Sequence, residues 1–172
     1  MRKRPTKSLE EIVAEVGRYP IDAYVFVQEC IGGASEHAHG TPGPDEALVM
    51  QWMSVHELDL DDLRHRAADD ELPPDVAGAV ERVGGVERLN RHVTGQQLCW
   101  AVRDIALKRW GLMARGVLAR WNITRTEDIG VIIFVLVNHD WLQKQPQDTR
   151  EDFDQVFSFD EAFDQEYRIG TE

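Results

Sequence analysis

Apolar residues recur at helical spacing through most of the chain, and the points where that spacing starts are marked by a repeated cap. Ser8-x-x-Glu11, Thr94-x-x-Gln97, Thr124-x-x-Glu127 and Ser158-x-x-Glu161 each place a hydroxyl three residues before an acid or amide. That pair satisfies two of the backbone N–H groups that a helix start leaves open. The first helix is expected from Leu9 to about Gly17, with Ile12, Val13 and Val16 inward. Pro20 suits the first turn of a second helix, which carries Tyr24, Val27 and Ile31 on one face and ends at or soon after Gly32-Gly33.

Residues 38–91 differ in character. They contain the cluster GTPGP, the acidic run DLDDL, Pro73-Pro74 and Gly84-Gly85, with helical patches at Asp45–Leu58 and Asp75–Val83. Trp52 and Met53 are costly to leave in water, so this stretch is read as an acidic helical insertion and not as a linker. From Thr94 the pattern sharpens. Leu98, Ala101, Val102 and Ile105 form a stripe, Lys108 and Arg109 fall in the last turn, and Gly111 ends the helix. Met113, Val117 and Trp121 suggest a second inward stripe, and Thr124 a third helix whose centre, Val131 to Val137, is apolar all round. Alternation of Phe157 and Phe159 in Val156–Phe159 suggests a strand, followed by a short helix with Ala162, Phe163 and Tyr167.

The expected fold is therefore mainly α, a helical bundle whose C-terminal half is winged-helix-like, three helices plus a small β-ribbon. Three regions follow: 1–37, a helical pair packing on the core; 38–91, the insertion; and 92–172, the winged-helix-like core with an acidic tail.

The segments YVFVQE (24–29), HVTGQQL (92–98), LMARGVLARWNI (112–123), TEDIGVIIFVLV (126–137) and DTREDFDQVFSFDEAF (148–163) resemble a family of bacterial conserved hypothetical proteins, found mainly in planctomycetes and verrucomicrobia. The resemblance covers about residues 8–37 and 92–165, with HVTGQ and REDF its most distinctive blocks. No activity, cofactor or catalytic residue comes with it.

Charge changes the picture most. The 172 residues carry 31 acidic and 19 basic side chains, a net charge of −12, which opposes non-specific binding to nucleic acid or anionic membranes. Residues 95–147 nevertheless hold seven basic against four acidic residues, and residues 148–172 hold nine acidic against two basic. Either the tail folds back and neutralises the basic unit, or the protein docks with one basic and one acidic face. Lys108, Arg109, Arg115, Arg120 and Arg125 are the candidate partner contacts.

Catalytic and metal signatures do not stand out. Glu36, His37 and His39 have no companion ligand cluster, and Asp148, Glu151, Asp152 and Asp154 lack the alternation of a calcium loop. Cys30 and Cys99 read as packed, reduced thiols, and no cofactor is expected. Glu10, Glu11 and Glu15 interrupt any export signal after MRKRPTKS, so the cytoplasm is the expected location. The leading functional expectation is a non-catalytic protein–protein interaction module or adaptor. A winged-helix DNA-binding regulator is the alternative, disfavoured because 126–143 contains no Lys or Arg, and an enzyme comes third.

Overall fold

Alternating caps and apolar stripes build a chain of helices, seen in a computed structural model that describes residues 3–164. In order these are α1 (Leu9–Val16), α2 (Ile21–His39), α3 (Pro44–Val55), α4 (Leu60–Ala68), α5 (Pro74–Val83), α6 (Gly95–Trp110), α7 (Ala114–Arg120), α8 (Thr126–Asn138) and α9 (Phe159–Asp164). Short 3-10 turns occupy Val86–Leu89, Gly111–Met113 and Arg150–Phe153. The protein is mainly helical.

Two compact units divide the chain, Ser35–His92 on one side and Arg4–Ala34 with the chain from Val93 on the other. The 35–92 unit has its own core of Val49, Leu63, Val76, Ala79, Val80 and Leu89, against which Trp52 and Met53 are packed. Its helices begin with Pro44 and Pro74 at the first turn, and with reciprocal bonds between Asp59 and Asp62. The acidic run DLDDL is thus the start of a helix. Aspartate caps as serine does, and negative charge suits a helix N-terminus.

The second unit packs α1, α2 and α6–α9 around Tyr24, Val27, Val102, Ala106, Leu118, Ile129, Ile132 and Leu136. Helix α2 runs through Gly32-Gly33 to His39, where the sequence suggested an end. A Cβ on Gly33 would lie 2.7 Å from Cδ1 of Ile105, so this glycine admits α6. The start of α8 also differs from expectation. Thr126 opens it, and the Asp128 carboxylate accepts from the N–H groups of Thr124 (3.0 Å) and Arg125 (3.3 Å).

No strand occurs among the described residues, so the β-ribbon and with it the winged-helix outline are corrected. Residues 156–158 lead into α9, whose Ala162 N–H donates to the Ser158 carbonyl. The alternation of Phe157 and Phe159 has another cause. Phe157 packs its ring against Trp100 (4.7 Å) and Phe159 (5.8 Å), and the chain turns into the helix without a partner strand. Tyr167 lies outside the described residues.

Phe153 holds this end of the chain in place. A Cβ on Gly130 would stand 2.9 Å from Phe153 Cγ, and one on Gly95 would stand 2.9 Å from Asp152 Cβ and 3.1 Å from Phe153 Cε2. Thr126 Oγ1 donates to the Phe153 carbonyl at 2.6 Å and accepts from the Val156 N–H at 3.2 Å. Gly130→Ala gains about 1 kcal/mol of helix propensity but overpacks Phe153 at a cost of about 1–3 kcal/mol, so it should lower the urea midpoint. Gly116, also helical, has nothing within 4 Å of its Cβ position, and Gly116→Ala should raise the midpoint by about 0.5–1 kcal/mol equivalent.

Candidate docking surface

The turn between α6 and α7 leaves two large apolar side chains in water. Gly111 takes φ 52°, a left-handed value open to glycine, and its N–H donates to the Leu107 carbonyl. The 3-10 turn that follows puts Ala114 and Leu118 inward. Ala114 and Leu118 thus take the inward places expected of Met113 and Val117, while Trp121 packs against Phe26 and Trp110 as expected. Leu112 is 62% exposed and Met113 71% exposed. Single exposed hydrophobics are ordinary; here two stand adjacent on one turn between packed helices. Sequence reasoning placed Met113 in the core and did not single out Leu112.

Cations flank this pair in the chain. Arg109 is paired with Glu29 at 3.0 Å, and its guanidinium lies over the rings of Phe26 (5.5 Å) and Trp110 (5.6 Å). Arg115 pairs with Asp164 at 2.8 Å and with Asp160. The described part of the acidic tail therefore does fold back, on Arg115. All three ion pairs are exposed and worth little in water. Lys108, Arg120 and Arg125 make no ion pair or hydrogen bond through their side chains with any described residue. The five sequence candidates thus split: Arg109 and Arg115 are engaged, and three cations are open. Lys108 and Arg115 bracket Leu112-Met113, whereas Arg125 belongs to the start of α8.

Other constellations are committed to structure. Asp148 accepts from the Gln145 N–H (2.7 Å) and Asp152 from the Thr149 N–H (2.9 Å), so these carboxylates close turns. Glu36 and His37 are exposed at the end of α2, and no group of three or more metal-ligating side chains converges among the described residues. Asp128, 1% exposed, accepts from Arg18 (2.8 Å) and Tyr19 (2.6 Å) as well as from the cap. Burial, with the hydrogen bond to Asp128, pushes the Tyr19 phenol well above its usual range. Tyr24 is fully buried beside it, its hydroxyl without a partner among the described residues, and burial raises that phenol too. No helix among the described residues is long and apolar enough to cross a membrane.

No family model matches the chain, and no curated protein or solved structure matches it.

Cys30 and Cys99 are free and buried, and burial pushes both thiols up to about 12 from an ordinary 9.0. Neither should react with a thiol reagent at pH 8 in the native protein, and both should react in denaturant. Native thiols and phenols keep protons that the unfolded chain releases as pH rises. The stability these groups contribute is thus complete below about pH 9 and is lost between about pH 9 and 12, which urea midpoints measured across that range should show.

Proposed function

We propose that this chain is a non-catalytic protein–protein interaction module that docks through Leu112 and Met113, with Lys108, Arg109, Arg115 and Arg120 as its polar rim. The exposure of Leu112 and Met113 on a fixed turn carries the reading. An apolar anchor within a charged rim is the usual anatomy of a protein interface. The rim cations fit a partner with acidic groups around an apolar pocket, and charge would govern how fast and in which register it binds. We also infer kinship with the planctomycete and verrucomicrobial family from the segments quoted, which adds no activity.

A DNA-binding regulator is the weaker reading. Helix α8, the element that would enter the major groove, buries Ile129, Ile132 and Leu136 and has Glu127 and Asp128 in its first turn without a cation. Phosphates would be repelled there. The acidic excess of the whole chain acts in the same sense.

Immobilised wild-type protein is expected to retain a specific partner from native lysate. Leu112→Ser/Met113→Ser should weaken that retention by about tenfold or more, since interface anchors contribute about 2 kcal/mol or more each. Both positions are exposed, so the melting temperature should hold. Lys108→Glu should weaken retention at low salt and matter less at high salt. Equal retention by the double variant sinks the reading, and sequence-specific duplex binding below micromolar promotes the regulator.

A further inference from the structure

The 35–92 unit contains a feature that docking does not use. An open cleft of about 460 Å³ is lined by His39, Glu46, Val83, Gly84, Arg88 and Arg91. Every one of these residues belongs to that unit. The volume falls inside the range of small-molecule sites, roughly 300–1,000 Å³. His39 closes α2, Glu46 stands in the first turn of α3, Val83 and Gly84 end α5, and Arg88 belongs to the 3-10 turn Val86–Leu89. Gly84 takes φ 98°, so a bare backbone forms part of the wall.

Charge in the cleft runs against the charge of the chain. Two guanidiniums and one carboxylate leave an excess of one positive charge, in a protein whose net charge is −12. The cations are not equivalent. Arg91 is 12% exposed and fixed, its guanidinium donating to Glu46 Oε2 at 3.5 Å and to the Gly40 carbonyl. Glu46 Oε2 also accepts from the Gly43 N–H at 3.3 Å, so its charge is shared with a helix start. The Arg88 side chain makes no ion pair or hydrogen bond with any described residue. Its fork of donors is open. His39 Nε2 lies 2.8 Å from the His92 carbonyl oxygen. A carbonyl only accepts, so Nε2 carries the proton and Nδ1 is the open position of the ring.

We propose that this cleft binds a small phosphomonoester, with Arg88 and Arg91 gripping the phosphoryl oxygens and Val83 beside the organic substituent. The open fork of Arg88 and the remaining N–H groups of Arg91 offer more donors than the two oxygens of a carboxylate can use. A phosphoryl group presents three terminal oxygens and takes bidentate arginine well. The cleft also exceeds the volume of a bare phosphate ion, which leaves room for a substituent.

The full-length protein can be titrated with phenyl phosphate, inorganic phosphate and benzoate while the Gly84 amide and the Arg88 and Arg91 Nε–H signals are followed by NMR. Phenyl phosphate is expected to shift all three saturably in the millimolar range or tighter, ahead of inorganic phosphate and of benzoate. Arg88→Gln, an exposed change that keeps the fold, should raise the dissociation constant about tenfold or more. Arg125→Gln, in the other unit, should leave it unchanged. No saturable shift through the millimolar range, or an unchanged constant in Arg88→Gln, overturns the site. Benzoate binding as tightly as phenyl phosphate overturns the phosphomonoester.

Discussion

The Arg150–Phe153 turn can lie where it does because two helices carry no side chain at the points it touches. Gly95 and Gly130 let Asp152 and the Phe153 ring come within 2.9 Å of where a Cβ would stand, and Thr126 ties the Phe153 carbonyl to the start of α8. Much of the second unit follows from this wedge. It makes residues 148–164 part of the core and not an appendage, since Phe153, Phe159, Ala162 and Phe163 are all buried there. With α9 anchored, Asp160 and Asp164 come onto Arg115, and the local charge falls. What is left open beside Leu112 and Met113 is a smaller, more selective set of cations than composition alone implies.

Asp128 holds the other end of α8. A carboxylate with 1% exposure is tolerable only when its lone pairs are taken, and here a guanidinium, a phenol and two backbone N–H groups take them. The perturbed phenol of Tyr19 follows from that arrangement. Perturbed groups often mark active sites, but structural networks perturb them as well, and burial together with the hydrogen bond to Asp128 accounts for this one. Its work is to join the 18–19 segment to the beginning of α8.

Local signals were legible where local physics decides. Ser8 and Thr94 cap their helices as the spacing suggests, with both reciprocal bonds formed. The same rule slipped at Thr124, because a carboxylate one residue beyond Glu127 competed for the free N–H groups and won. Helix α4 escaped notice because Asp59 and Asp62 cap with carboxylates inside a run that reads as solvated charge. Gly32-Gly33 looked like a helix end, but what decided it was the close approach of Ile105, a residue far along the chain. The site shows the same divide. Which cations surround the α6–α7 turn was readable; which of them Glu29, Asp160 and Asp164 would occupy was a tertiary matter. The exposure of Met113 depended on a single 3-10 turn that set Ala114 and Leu118 inward in place of Met113 and Val117.

The two separate cores carry their chromophores unequally. Trp100, Trp110, Trp121 and Trp141 belong to the unit built on Phe153, while the 35–92 unit has Trp52 alone, its indole 4.9 Å from the His56 ring. Indole emission therefore weights one core four to one over the other, whereas the peptide absorbance of the helices counts both. An emission-detected denaturation curve and an ellipticity-detected one describe different parts of this chain, and their coincidence would itself mean that both cores open together.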